Sequence, residues 1–214
     1  METNTEYYSS EFNASIQKFL ALKDLHPILD EFRTLVTNVD IESCSAKIVA
    51  ELEENVNKFW TNPAFRKENF DTSLDAILLE YSCMDEIDSK VYAYGLIDMK
   101  TQFEEFEKSI QLEDYDFCDD FQSLPAFSLS ISNDLYKTHW ESLEDNYPNL
   151  EIYFEKGWNE LMSVYQNALY ASLTKALKLL TSKGSLNTLK MNNNFSVLIQ
   201  EHDCNARLIM KKRA

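Results

Sequence analysis

The chain has 214 residues, of which 44% are hydrophobic and 13% aromatic, and its formal net charge at pH 7 is −16. This apolar content excludes a disordered chain, and the length suits one compact domain better than two. The sequence has only three glycines and four prolines, so it offers little material for long linkers. Loops whose backbone closely approaches a phosphate also need glycine, which argues against a nucleotide-binding site.

The N-terminus and the cysteines indicate a cytoplasmic protein. The first residues, METNTEYYSSEF, have neither the basic start nor the apolar stretch of a secretory signal. No apolar run approaches the roughly 20 residues that cross a bilayer. Cysteines occur at Cys44, Cys83, Cys118 and Cys204, without the Cys-x-x-Cys spacing of zinc or redox sites. We expect free thiols in a reducing compartment.

Residues 1–62 are predicted to form helices. Apolar residues recur at helical spacing on both sides of Pro27, whose fixed backbone angle suits the first position of a helix. Ser43 is the predicted cap of a third helix, which carries its apolar residues on one side. Pro63 is predicted to end that helix.

Strands are predicted from residue 73 onward. The runs SLDAILLEYSC (73–83) and KVYAYGLIDM (90–99) favour a β-hairpin, although the first run also fits a helix. In the second run, Gly95 indicates a bulge or a close contact. TQFEEFEKSI (101–110) has helical spacing, and FSLSIS (127–132) alternates as a half-buried strand does.

The last third of the chain contains the clearest helix. DLYKTHWESLEDN (134–146) first resumes the helical period. A continuous apolar stripe then runs over residues 158–180, and Gly184 lies where a left-handed C-terminal cap is expected. NFSVLIQEH (194–202) and ARLIMKK (206–212) are predicted strands joined by a turn.

This order of elements favours an α+β fold. N-terminal helices precede a mainly antiparallel sheet, and the sheet packs against a long amphipathic helix. Regular alternation of strands and helices, which a doubly wound sheet requires, is missing. We expect a single domain over residues 1–214, with residues 1–62 as its helical part and residues 73–211 as its α+β core.

The negative charge is concentrated in the middle of the chain. Residues 98–160 carry 16 acidic and 4 basic side chains, whereas residues 161–214 carry 2 acidic and 8 basic ones. Such a field repels nucleic acid and anionic membranes and speeds the encounter with basic proteins. We therefore expect no nucleic-acid and no membrane partner.

The stretch QLEDYDFCDDFQSLP (111–125) is the first candidate binding site, because it mixes carboxylates with aromatic rings and has no basic residue. A charge run by itself is usually a solvated face. Rings beside the acids favour an interface instead, since they bury area against a partner while the acids meet its cations. A second candidate patch comprises Asp134, Tyr136, Glu141, Glu144 and Asp145.

The sequence has no recognised catalytic motif. The adjacent residues His202, Asp203 and Cys204 carry suitable donors, but consecutive strand residues point to opposite faces and do not converge on one ion. Glu80, Asp98 and Glu201 lie in predicted strands, and an enzyme that uses such carboxylates on one face of a cleft is the alternative. We expect no catalytic residue, no metal site and no cofactor.

The strand pair AILLEY and VYAYGL, the long amphipathic helix, and the final strand FSVLIQEHD with a short strand after it resemble bacterial toxin immunity proteins. These antidotes accompany the secreted toxins of contact-dependent or type VI systems, through which bacteria compete. The resemblance covers residues 73–211. It implies a non-catalytic protein that binds a cognate toxin with a basic surface, such as a nuclease.

By this resemblance, an acidic surface with aromatic rings occludes the basic active site of the toxin. The acids expected to pair with toxin cations are Glu113, Asp114, Asp116, Asp119 and Asp120. The expected aromatic anchors are Tyr115 and Phe117. A further alternative is an adaptor protein whose first 60 residues form a helical docking arm.

Overall fold

The structure, a computed structural model, describes residues 1–66, 71–82, 89–101, 103, 106, 109–136 and 147–212. Its strands are β1 (Glu2–Thr3), β2 (Leu74–Tyr81), β3 (Lys90–Ile97), β4 (Asp116–Phe117), β5 (Leu124–Ser128), β6 (Met191–Glu201) and β7 (Arg207–Lys211). Its α-helices are α1 (Thr5–Ala21), α2 (Pro27–Thr37), α3 (Ile41–Asn55), α4 (Pro63–Arg66), α5 (Asn133–Tyr136) and α6 (Trp158–Lys183). A π-helical turn, Val56–Trp60, continues α3, and 3₁₀ turns occur at Ser130–Ser132 and Ile152–Phe154.

The strands form one mixed sheet in the order β1-β7-β6-β2-β3, and β4 and β5 share the outer edge of β3. Strands β2 and β6 are parallel, and the other pairings are antiparallel. The α+β fold and the hairpin of β2 and β3 are thus confirmed. The parallel pair at the centre of the sheet was not expected.

Both faces of the sheet are buried. On one face, residues such as Ile77 and Leu79 join the main core beneath α1, α2, α3 and α6. On the other face, Ala76 and Leu78 belong to a second, smaller core, which partly buried side chains from the chain between β3 and β4 cover. Burial on both faces explains why β2 is a continuous apolar run rather than an alternating one.

The N-terminal helices belong to the main core. Phe19, Leu29 and Leu52, one from each of α1, α2 and α3, are at most 1% exposed. These helices therefore do not extend from the core as a docking arm. Among the described residues, no helix is both long enough and apolar enough to cross a membrane.

The predicted helix ends are largely confirmed. Pro27 opens α2, and His26 Nδ1 accepts a hydrogen bond from the backbone N–H of Ile28 at 3.4 Å. Gly184 caps α6 with a φ of 77°, as expected. The cap of α3 was assigned wrongly: it is Asp40, whose side chain accepts a hydrogen bond from the backbone N–H of Ser43 at 3.0 Å.

Two further predictions differ from the structure or are not covered by it. The strand expected over residues 127–132 begins earlier, as β5, and residues 130–132 form a 3₁₀ turn instead. Most of the helix expected over residues 134–146 lies outside the described residues, as does half of the helix expected over residues 101–110.

Candidate functional site

The acidic loop, Glu113–Phe121, lies along the outer edge of β3. Its strand β4 pairs with Leu96 and Ile97. Beyond β4, the backbone N–H of Cys118 donates to the carbonyl of Gly95 at 2.9 Å, and the N–H of Gly95 donates to the carbonyl of Phe121 at 2.7 Å. The loop is therefore part of the sheet and not a free surface segment.

Gly95 allows this close approach. A Cβ atom at this position would lie 2.9 Å from Leu74 Cδ2 and 3.0 Å from Phe121 Cβ, closer than packed carbon atoms normally come. The prediction of a close contact at Gly95 is confirmed.

Two side chains of the loop anchor it in the main core. Cys118 and Phe121 are fully buried, and the Phe121 ring packs against the ring of Trp60 with 5.5 Å between their centroids. Burial is the main reason that the pKa of the Cys118 thiol is raised, and a hydrogen bond to Asp120 raises it further. This thiol is a packing group and not an activated nucleophile.

Asp120 is not available to a partner, contrary to expectation. Its carboxylate accepts a hydrogen bond from Arg66 Nε at 3.0 Å, and the Arg66 and Asp120 side chains are 3% and 8% exposed. The Arg66 guanidinium also lies 4.8 Å from the centroid of the Phe121 ring. The sequence gives no signal for this ion pair, because Arg66 is 54 positions away.

The other four acids of the loop are exposed, and the loop also carries two rings of a surface cluster. The Phe117 ring lies 5.8 Å from the Tyr94 ring and 5.4 Å from the Tyr115 ring. Phe117 is 41% exposed, whereas both tyrosines are half-buried against the second core. We call this surface the acidic aromatic patch, and it consists of Tyr94, Glu113, Asp114, Tyr115, Asp116, Phe117 and Asp119. All four acids in it are exposed.

One cation lies beside the patch. Lys100 Nζ is 3.4 Å from Asp114 Oδ2, with both side chains largely exposed. Such a surface pair contributes about 0 to 1 kcal/mol to stability, so it leaves Asp114 able to exchange its partner.

Tyr94 is a residue of the patch that sequence reasoning missed. It lies on β3, two positions from Tyr92, so both tyrosines point to the same face of the sheet. The alternation along β3 predicts that Tyr92 and Tyr94 share a face. Nothing in the sequence, however, predicts that β4 pairs with β3 and brings Phe117 next to Tyr94.

The second predicted patch is only partly described. Asp134 lies half-buried on α5, and its charge, after burial, contributes to the raised pKa of Tyr165 on α6. Tyr136 is the last residue of α5. Glu141, Glu144 and Asp145 lie outside the described residues.

The carboxylates considered for catalysis do not converge. Glu80 pairs with Gln200, and Tyr81 pairs with Glu201, so Glu80 and Glu201 point to opposite faces of the sheet. Glu80 accepts a hydrogen bond from Gln200 Nε2 at 2.5 Å, and Glu201 accepts one from Gln166 Nε2 at 2.8 Å. Asp98 follows the other end of β3.

The turn after β6 is an ordinary polar turn. His202 Nδ1 lies 3.3 Å from Glu80 Oε1 and His202 Nε2 lies 3.7 Å from Asp203 Oδ2, with both His202 and Asp203 largely exposed. Within the described part of the chain, no group of three or more histidine, cysteine, aspartate or glutamate side chains is arranged to hold a metal ion.

Comparison with known proteins gives no relative. No family model matches the chain, no curated protein matches it, and no solved structure matches its fold. Any assignment of function therefore has to rest on the acidic aromatic patch itself.

Proposed function

We propose that this chain is a non-catalytic inhibitor of the immunity type, which binds a cognate protein toxin through the acidic aromatic patch. The observation that carries the proposal is the cluster of Tyr94, Tyr115 and Phe117 at the sheet edge, together with the four exposed acids of the same loop. In protein interfaces, aromatic anchors of this kind supply most of the affinity, and the surrounding charges select the partner.

Electrostatics supports a basic partner. The chain carries a net charge of −16, and four of its exposed acids lie in the loop that carries Tyr115 and Phe117. A field of this sign accelerates the association of a cationic surface by roughly one to three orders of magnitude at low salt. A toxin that cleaves nucleic acid has such a surface at its active site, because it must hold phosphates.

The rigidity of the patch supports inhibition by occlusion. Backbone hydrogen bonds to Gly95 and the buried anchors Cys118 and Phe121 fix the loop before any partner arrives. A preformed surface loses little conformational entropy on binding, so more of its contact energy appears as affinity. The patch therefore covers the active site of the toxin as a rigid, preformed surface.

The test uses the product of the gene beside this one, with association measured at low and at high salt. In the patch variant, Glu113→Gln, Asp114→Asn, Asp116→Asn and Asp119→Asn are combined. We expect its association rate constant to fall by about tenfold or more, with an unchanged melting temperature. The matched control combines Glu6→Gln, Glu31→Gln, Glu54→Gln and Glu151→Gln, which removes four exposed charges elsewhere. Equal losses in both variants, or no complex at all, would refute the proposal.

Phe117 allows a second, independent measurement on the same complex. Phe117→Ala should weaken binding by about 2 kcal/mol or more, mainly through faster dissociation, since it removes the exposed anchor. Phe154→Ala is the matched control, because Phe154 is 85% exposed but lies outside the patch. If toxin activity on DNA is restored equally by both variants, the patch is not the inhibitory surface.

A further inference from the structure

A polar cleft of about 390 Å³ lies between α1 and α6, away from the acidic loop. The two helices run antiparallel, because Tyr8 near the start of α1 contacts Tyr170, while Leu22 and Leu25 after α1 lie next to Gly157 at the start of α6. Small side chains along the facing surfaces leave the space open; they are Ala14, Ser15 and Ser163.

The buried Tyr170 and the half-buried Arg207 close the floor of the cleft. The Arg207 guanidinium lies 5.4 Å from the centroid of the Tyr170 ring, and the Tyr170 hydroxyl lies 3.5 Å from the Tyr81 hydroxyl. Tyr170 is only 4% exposed. The floor is therefore part of the core, and a ligand in the cleft would contact fixed groups.

Charges of both signs line the cleft. Glu11 and Arg207 lie at one end of the cleft, and Lys18 and Glu160 lie at the other end. Between them lie the amide of Asn167 and that of Gln166, whose Nε2 also donates to Glu201. Within the described part of the chain, Glu11, Lys18, Glu160 and Asn167 make no hydrogen bond or ion pair through their side chains.

We propose that this cleft binds a small, neutral, polyhydroxylated molecule of the saccharide class. Each hydroxyl of a sugar both donates and accepts a hydrogen bond, so a sugar can bond to the carboxylates, amides and cations that line both helices and the floor of the cleft. A phosphate would be attracted by Lys18 and Arg207 but repelled by Glu11 and Glu160, and a cationic ligand would meet the reverse, so a ligand of one sign finds no net charge match. The volume lies in the lower part of the roughly 300 to 1,000 Å³ range of small-molecule sites.

The test is a titration of the full-length chain with maltose, lactose and N-acetylglucosamine, followed by ¹⁵N NMR at the side-chain amides of Asn159, Gln166 and Asn167. Sodium phosphate and glycine serve as the anionic and zwitterionic alternatives. We expect a saturable shift of these amide signals with at least one of the three sugars.

Two variants test whether the amide shifts come from sugar bound in the cleft. Ala14→Phe places a ring in the opening and should weaken binding at least tenfold, whereas Asn13→Phe adds the same ring to the neighbouring exposed position and should leave binding unchanged. Thermal melts of both variants verify that they fold. The proposal is overturned if no sugar gives a saturable shift, if only phosphate or glycine does, or if the sugar shift survives in folded Ala14→Phe. The patch variant should keep sugar binding, so this result is independent of the proposed function.

Discussion

Asp119 and Asp120 are neighbours in the sequence but lie in opposite environments. Asp119 is exposed, whereas Asp120 is paired with Arg66 inside the protein. Removing one partner of a buried ion pair leaves an uncompensated charge, which costs about 3 to 5 kcal/mol. We expect Asp120→Ala to lower the free energy of unfolding by about that amount, as measured by urea denaturation.

The matched control is Asp119→Ala, which should change stability by at most about 0.5 kcal/mol. Replacing both partners of the pair, as Arg66→Met with Asp120→Leu, should recover part of the loss, because neither charge is then left alone. If Asp120→Ala is as mild as Asp119→Ala, the two side chains are not paired in solution. The sequence does not distinguish these two aspartates, since the distinction depends on a distant arginine.

At the scale of elements, the attachment of β4 to β3 depends on the missing side chain of Gly95. Gly95→Ala would force Leu74 or Phe121 to move, and we expect it to cost about 1 to 3 kcal/mol through overpacking. It should also slow toxin binding, because the patch shifts with its strand. Denaturation followed by the fluorescence of Trp60, which contacts Phe121, measures the first effect.

Gly184→Ala is the comparison for this prediction. Its cost should be about 1 to 2 kcal/mol, because an alanine at a φ of 77° is strained. Gly184 lies at the end of α6, however, so binding should not change. Equal effects of the two variants on binding would mean that Gly95 acts through stability alone.

Elements specified by local pattern were predictable. The hairpin of β2 and β3, the apolar stripe of α6, and the strands β6 and β7 each follow from residues that are near in sequence. The parallel pairing of β2 with β6 was not predictable, because their partnership joins segments more than 100 residues apart and depends on how the helices pack.

Strand β5 begins at Leu124, before the strand predicted from residue 127, and it includes Pro125, a residue that is rare within strands. In the structure Pro125 lies on an edge strand, where a missing N–H is tolerated. Its carbonyl accepts a hydrogen bond from Trp60 Nε1 at 2.9 Å, and the carbonyl of Ala126 accepts one from Asn55 Nδ2 at 2.8 Å. Side chains of the helical layer thus take the place of a further strand.

At the scale of the whole molecule, backbone groups of β5 and beside β7 are hydrogen-bonded to segments outside the sheet. Beside β7, Ile110 exchanges two backbone hydrogen bonds with Ala206, and the Tyr8 hydroxyl donates to the carbonyl of Leu208 at 3.2 Å. Backbone groups that are already paired do not accept a strand from a partner. Binding through side chains at the acidic aromatic patch is consistent with this design.

Buried tyrosines join the helical layer to the sheet and make the whole molecule sensitive to alkali. Burial is the main cause of a raised pKa at Tyr8, Tyr81, Tyr165 and Tyr170. The folded state therefore holds these protons more tightly than the unfolded state does. The resulting stability is fully present below the unfolded pKa of about 10 and is lost as the pH rises above it.

We expect the free energy of unfolding to be constant near neutral pH and to fall above about pH 10 by roughly 1.4 kcal/mol per pH unit for each tyrosine that stays protonated in the fold. Urea denaturation across this range, with tyrosinate absorbance as the titration signal, measures the slope. Tyr81→Phe should be less stable at neutral pH, because it loses the contact with the Tyr170 hydroxyl at 3.5 Å. Above about pH 10, however, its free energy of unfolding should fall less steeply with pH, by roughly 1.4 kcal/mol per pH unit, because one tyrosine fewer contributes. If Tyr81→Phe has the same pH slope as the unchanged protein, Tyr81 ionises alike in the folded and unfolded chains, and its hydroxyl is not buried beneath α6.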